Sequence, residues 1–291
     1  MAYNNDNLAV AIHDTDNIIT EENIEECVVD YWKQRVKDFS DVREHELNSD
    51  MGKEWLEEII SNISMYTAYD KKSGMSSGTD VTENSRIKVL DVGTGVGYFA
   101  ILLNRCGMDV TGIDLTPDMI TRAKELADKY GADVTYEVMD AMELSYADET
   151  FDVVITRNLT WTLPDIQKAY KEWHRVLKKG GLLLNYDANY ARMNSLEKTI
   201  IKDDDKTAPY GHQGMTQELE EKNALIAQSM DIGKHERPAY DVHILEKMGY
   251  KNCIIDPAFG KRVLKEKDLK EAPMFMIMAG KESLKKAKEI S

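Results

Sequence analysis

The sequence predicts an α/β fold, doubly wound around a mostly parallel sheet. Three observations carry that expectation. An apolar strand runs into a glycine-rich turn and then an apolar helix across residues 89–103, VLDVGTGVGYFAILL. From Arg86 onward, short apolar runs alternate with amphipathic stretches, the pattern of successive strand–helix units. Three of the early strands end in an acid, at Asp91, Asp114 and Asp140.

The elements follow in order. The first 20 residues are polar, and a helix is expected from Thr20, with Ile24, Cys27, Val28, Tyr31, Trp32, Val36 and Phe39 at helical spacing. A second amphipathic helix carries Met51, Trp55, Leu56, Ile59, Ile60 and Ile63, and residues 70–85 read as a flexible connection. Two helices cannot bury their apolar stripes alone, so both are expected to pack on the α/β unit as a cover and to add to its core. A strand is expected at 110–114. The helix at 116–130 has Thr116 as its cap, Pro117 at its first position, and Met119, Ile120, Ala123, Leu126 and Ala127 facing inward. If Thr116 caps, the Asp114 carboxylate is left free for a ligand. Strands at 134–139 and 151–156 precede a helix that starts at Pro164 and carries Ile166, Ala169, Tyr170, Trp173 and Leu177. A turn over 175–181, RVLKKGG, leads to a strand at 182–185. Residues 188–240 form a long polar insertion with a helix at 215–230, the length expected of a lid. A helix at 241–249 and strands at 251–255 and 274–279 complete the chain. The domain reading is a helical cover and linker over 1–80, then a core over 81–291 with the lid at 188–240.

Asp91, Gly93, Gly95 and Gly97 spell Asp-x-Gly-x-Gly-x-Gly on a strand–turn–helix. That segment resembles motif I of the class I S-adenosylmethionine-dependent methyltransferases. A dinucleotide fingerprint competes, because Gly95, Gly97 and Ala100 also fit G-x-G-x-x-A. The acid before the glycines favours the methyltransferase reading. Asp114 stands where an acid accepts from both ribose hydroxyls. Asp140-Ala141-Met142 is similar to the stretch that meets the adenine, and the RVLKKGG turn is similar to the feature before strand five of many small-molecule methyltransferases. The resemblance is close over 86–190. It implies a Rossmann-like, seven-stranded, mostly parallel sheet with an antiparallel last strand, S-adenosylmethionine as cofactor, and cofactor contacts at Asp91, Gly93, Thr94, Gly95, Gly97, Asp114, Leu115, Met119, Asp140, Ala141, Met142, Arg157 and Asn158.

Methyl transfer from a sulfonium asks mainly for alignment and exclusion of water, so the cofactor is more legible than the acceptor. The Asn/Asp-Pro-Pro-Tyr pattern of amino-methyltransferases does not begin at strand four, where the chain reads Arg157-Asn158-Leu159-Thr160. Trp161 is a candidate wall of the acceptor pocket, and Asp187, Asn189 and Tyr190 lie just past strand five, where one could orient an acceptor group. Asp187 and Tyr190 are the catalytic candidates there. Tyr31, Arg35 and Phe39 sit on the N-terminal cover, whose W-x-x-R-x-x-x-F-S segment is similar to caps that close over the cofactor in related enzymes. His212 sits in a glycine-flanked loop and could act as a movable base. Arg237 could grip an acceptor carboxylate. The acids at 203–205 read as a solvated loop, and no metal is expected.

The chain has 291 residues and a formal charge of −15, which argues against a nucleic-acid groove. Three cysteines without metal-ligand spacing suit reduced thiols, and neither a signal peptide nor a membrane span is read, so the expected location is the cytoplasm. The function these readings imply is methyl transfer to a small-molecule acceptor. Two alternatives stand beside it, a non-catalytic S-adenosylmethionine-binding regulator and an NAD-dependent oxidoreductase.

Overall fold

Seven strands form one sheet in the order β3-β2-β1-β4-β5-β7-β6 in a computed structural model, which describes residues 19, 20, 22–72, 86–195 and 213–281. The strands are β1 (Lys88–Val92), β2 (Asp109–Asp114), β3 (Thr135–Val138), β4 (Phe151–Arg157), β5 (Leu177–Asp187), β6 (Lys251–Asp256) and β7 (Phe275–Gly280). The first five run parallel, while β7 pairs antiparallel with both β5 and β6. Strand order reverses between β1 and β4, so a crevice opens at their carboxyl ends. The centre of the sheet reads as continuous apolar sequence because it is covered on both faces.

One face carries α2 (Asp50–Lys72), α3 (Tyr98–Asn104), α4 (Pro117–Tyr130) and α9 (Phe259–Val263). The other carries α5 (Ile166–Val176), α7 (Gln217–Ser229) and α8 (Ala239–Lys247). The five residues predicted to face inward on the helix at 116–130 are all buried on α4. The two N-terminal helices divide their work. Trp55 of α2 is fully buried, with ring centroids 4.9 Å from Phe99 and 5.3 Å from Tyr186 and Phe259, so α2 is a core helix. By contrast α1 (Ile24–Leu47) lies against α4 and α7 and presents its ring-bearing face to the crevice.

The expected turn over 175–181 is instead the end of α5 and the start of β5. Leu177 already pairs with Phe151, the register then shifts, and Leu182 pairs with Val153. Val176 and Leu177 are fully buried, so the chain enters the sheet before it reaches the glycines, and KKGG is absorbed as an irregularity in the strand. Lys178 anchors it with an ion pair to Asp152 at 2.9 Å. The insertion after β5 holds α6 (Tyr190–Ser195), α7 and α8, and Thr216 caps α7 by accepting from the Leu219 N–H at 3.3 Å. Helix α9 stands where no element was predicted. Among the described residues no helix is long and apolar enough to cross a membrane.

Candidate active site

The glycine turn after β1 is built from beneath by its acid. Thr94 Oγ1 donates to Asp91 Oδ2 at 2.6 Å, and the Ala100 N–H donates to the same oxygen at 3.1 Å, which ties both ends of the turn to the strand. Gly93, Gly95 and Gly97 all have positive φ, at 66°, 54° and 84°. They differ in what surrounds them. A Cβ on Gly95 would lie 3.1 Å from Phe39 Cε1 of α1, at the crevice, whereas one on Gly97 would lie 2.2 Å from Tyr136 Oη, inside the core. Asp91, Thr94 and Gly97, expected to touch the cofactor, therefore stand behind the loop and shape it, while Gly93 and Gly95 line the pocket.

Burial pushes the Asp91 carboxyl up to about 7, against the pull of its Thr94 and Ala100 hydrogen bonds. A carboxyl raised on folding keeps its proton while the unfolded chain loses its own, so stability falls as pH rises from about 4 to about 7. Asp91→Asn is expected to remove that contribution, which is of the order of 4 kcal/mol over this window at 1.36 kcal/mol per unit. Urea unfolding of both proteins at pH 4 and pH 8 measures it. An unchanged difference between the two proteins at the two pH values would sink the assignment.

Asp114 ends β2 at the pocket. Its Oδ2 accepts from the Gly95 N–H and its Oδ1 from the Thr116 N–H, both at 2.9 Å. Thr116 takes the N-cap position of α4 with Pro117 behind it, but its side chain makes no cap bond, and Asp114 is not left free because it holds the Gly95 and Thr116 N–H groups. Each carboxylate oxygen keeps a second lone pair, so Asp114 can still accept from a ligand. Asp140 accepts from the Met142 N–H at 2.8 Å, and Trp173 Nε1 donates to the Ala141 carbonyl at 2.9 Å, which fixes the stretch after β3. Leu115, Met119, Asp140, Ala141 and Met142 all line the pocket, as does Met139, which was not anticipated.

Arg157 and Asn158, at the end of β4, also line it. Arg157 is held 3.0 Å from Glu46 of α1 and lies over the Trp55 ring at 4.2 Å. Arg43 pairs with the same carboxylate and lies over Phe39 at 4.7 Å. This group locks α1 onto the sheet. Arg43 was missed, although it is one helical turn past Phe39 on the same face.

Further along, Trp161 and Tyr190 meet edge to face, with centroids 5.9 Å apart. Burial keeps the Tyr190 phenol protonated well beyond its ordinary range. Tyr31, Arg35 and Phe39 close the pocket from α1 and reach the lid. The Tyr31 hydroxyl donates to Met215 Sδ at 3.7 Å, Arg35 Nη1 donates to the Gln213 carbonyl at 2.7 Å, and Asp30 pairs with Lys222. Burial also holds the Tyr31 phenol up, at about 12. Met193 of α6 and Leu264, Lys267, Asp268, Leu269 and Met274 from the β6–β7 connection complete the far wall. No motif in the sequence marks that connection.

Three candidates point elsewhere. Asp187 is fully buried, bonded to Thr160 and to the Ala188 N–H, and faces Arg237 rather than the pocket. Arg237 is committed to Asp241 and Asp187, so it holds no acceptor carboxylate. Asn189 donates to the His235 carbonyl at 3.3 Å and lines a neighbouring cavity instead. Asp187 and Arg237 are buried charges that have found their partners within the fold. His212 lies outside the described residues, as do the acids at 203–205. Among the described residues no group of histidine, cysteine or acids could hold a metal.

Residues 90–185 match the family described as "Methyltransferase domain". Over 120 residues the chain is 38% identical to phosphatidylethanolamine N-methyltransferase of Cereibacter sphaeroides, covering 40% of this chain and 59% of that protein. Over 122 residues it is 43% identical to 2-methyl-6-phytyl-1,4-hydroquinone methyltransferase of Synechocystis, covering 39% and 37%. The chain thus spans between about a third and three fifths of the length of these two curated relatives. Among solved structures, Haemonchus contortus phosphoethanolamine N-methyltransferase 2 in complex with S-adenosyl-L-methionine aligns at 18% identity with a TM-score of 0.49, covering 76% of this chain and 53% of that one. Through its glycine loop, its strand-end acids and the match over residues 90–185, this part of the chain is similar to the class I S-adenosylmethionine-dependent methyltransferases.

Proposed function

We propose that this chain transfers a methyl group from S-adenosylmethionine to a small-molecule acceptor by in-line displacement. One observation carries the reading: a single pocket runs from Gly93, Gly95, Asp114 and Asp140 to the Trp161–Tyr190 pair. The residues suit the cofactor, because the Gly95 loop presents backbone without a side chain and two strand-end acids retain accepting capacity. When bound, S-adenosylmethionine supplies a sulfonium-activated methyl group. Gly93 and Gly95 flank its amino-acid portion, Asp114 accepts from the ribose, and Asp140, Ala141 and Met142 meet the adenine. Arg157 and Asn158 border the transfer region. Tyr31, Arg35 and Phe39, with the lid helix α7, keep water out. Trp161 walls the acceptor, and Tyr190, protonated throughout the physiological range, orients it as a hydrogen-bond donor rather than as a base.

The proposed division is an N-terminal helical segment and linker over 1–80, in which α1 is the cover and α2 joins the core, and a core over 81–291 with its lid at 188–240. A net charge of −15 supports a small acceptor rather than nucleic acid, and reduced cysteines support a cytoplasmic setting. The two curated relatives are named for chemically dissimilar acceptors, a phospholipid amine and a hydroquinone, so the acceptor is to be found by experiment. Incubation of cell extract with labelled methyl donor and mass identification of the product finds it. Titration with S-adenosylmethionine, S-adenosylhomocysteine and NAD separates the alternatives. Binding without any labelled product would favour a regulator, and binding of NAD alone would favour an oxidoreductase.

Within this reading Asp114→Ala weakens S-adenosylhomocysteine binding by about 1.5–3 kcal/mol, the scale for hydrogen bonds to a charged group. Asp140→Ala costs less, because water replaces a single contact. Dissociation constants for the two variants test the order, and a larger loss at Asp140 reverses it.

A further inference from the structure

Behind the acceptor wall lies a charged group that the chemistry above does not use. The Arg237 side chain is wholly enclosed, as are those of Asp187 and Asp241. Arg237 Nε donates to Asp241 Oδ2 at 2.9 Å, Nη2 to Asp241 Oδ1 at 2.7 Å, and Nη1 to the Ala188 carbonyl at 3.2 Å. Nη2 also donates to Thr160 Oγ1 and stands 3.5 Å from Asp187 Oδ2. The Thr160 hydroxyl in turn donates to Asp187, whose other oxygen accepts from the Ala188 N–H at 2.7 Å. Tyr170 donates to Asp241 at 2.8 Å and accepts from Asn185 Nδ2 at 3.0 Å. The Phe275 ring closes the group from β7, 5.1 Å from the guanidinium.

Stability alone does not call for such a cluster, since an apolar set of similar volume would serve as well. What the ions add is direction. Two of the Arg237 bonds, to Thr160 and to the Ala188 carbonyl, end on segments that carry or lead to the acceptor wall, while the Asp241 pair holds the guanidinium in place. Thr160 is the neighbour of Trp161 in one tight turn, and Ala188 is two residues before Tyr190. Asp241 belongs to α8, beyond the lid helix.

We propose that Arg237 is a positioning residue for the acceptor wall: through Thr160 and Ala188 it sets the Trp161–Tyr190 pair relative to the cofactor cradle. The proposal rests on the acceptor pocket assigned above, and its test needs neither methyl donor nor turnover. The full chain, which contains four tryptophans, is labelled with 5-fluorotryptophan and followed by fluorine NMR. Trp161→Phe assigns the signal of interest. Thr160→Val removes one hydroxyl at nearly constant shape and leaves the Arg237–Asp241 pair intact. Arg237→Lys removes the fork. Both are expected to shift and broaden the Trp161 signal while those of Trp55 and Trp173 hold, and Thr160→Ser is expected to restore it. Binding of S-adenosylhomocysteine, read by calorimetry, should be unchanged in Thr160→Val. If Arg237→Lys does not fold, Thr160→Val carries the test. The proposal is overturned if the Trp161 signal does not move in Thr160→Val, if Thr160→Ser perturbs it equally, if all four signals move together, or if cofactor affinity falls alongside. Failure of the native chain to bind S-adenosylhomocysteine would instead overturn the methyltransferase reading and leave the NMR result standing.

Discussion

Gly97→Val is expected to lower the unfolding free energy by roughly 2–5 kcal/mol, the sum of left-handed backbone strain and core overpacking, and to abolish S-adenosylhomocysteine binding. Gly97 has φ of 84°, and a Cβ there would sit 2.2 Å from Tyr136 Oη and 3.2 Å from Ala123 Cβ. Neither neighbour can withdraw easily. Tyr136 is buried on β3 and Ala123 is on the inward face of α4, so the loop must move instead. Movement of the loop carries Gly95 with it and breaks the Gly95–Asp114 bond that shapes the cradle. Chemical denaturation and calorimetric titration measure the two effects. Adding Tyr136→Ala should recover part of the lost stability, because it opens the space the new side chain needs, but not the part owed to backbone strain. A folded Gly97→Val protein with native affinity would show that the loop tolerates displacement.

The second large effect is expected at Glu46. Its carboxylate is fully buried between two guanidiniums, those of Arg43 and Arg157. Glu46→Gln leaves two cations close together with their shared carboxylate removed, and breaking a buried pair in this way costs about 3–5 kcal/mol. Because the group joins α1 to the end of β4, the loss should be local first. Hydrogen exchange is expected to speed up across α1 before it does in α2, and cofactor affinity should fall as Phe39 loses its support over Gly95. Added salt should rescue little, since enclosed charges are poorly screened. Removing one cation as well, in Glu46→Gln with Arg43→Met, should restore part of the stability. Equal exchange in α1 of the native and Glu46→Gln proteins would show that apolar contacts alone hold that helix.

The cofactor half of the pocket was legible because its signals are local. Asp91 and the glycines are contiguous, and the turn they form is set by backbone conformations that few other residues adopt. Asp114 and Asp140 could be placed because a strand with a clear apolar run has a definable end, and parallel strands bring those ends to one edge. Even there, the division between residues that line the pocket and residues that brace it was not legible. Gly95 and Gly97 are alike in sequence, and only what packs against each tells them apart.

The acceptor half was read less well because proximity along the chain says little about it. Asp187 and Arg237 are polar residues in promising places, yet the fold brings them together across 50 positions, and Arg237 is also held by Asp241 one helical turn on. Lys267, Asp268 and Met274 reach the wall from a connection with no motif, because the antiparallel return of β7 beside β5 brings it there.

Legible in the sequence alone are the fold class, the glycine loop, the strand-end acids and the resemblance to methyltransferases that they carry. These depend on hydrophobic period and on backbone conformation, which neighbouring residues set among themselves. Only the tertiary structure decided which of two apolar N-terminal helices became core and which became cover. It also decided which charged residues face a ligand and which face one another. A charge leaves water only where a partner is supplied, and in this chain local pairs, Arg43–Glu46 and Arg237–Asp241, are completed by partners from distant segments, Arg157 for Glu46 and Asp187 for Arg237.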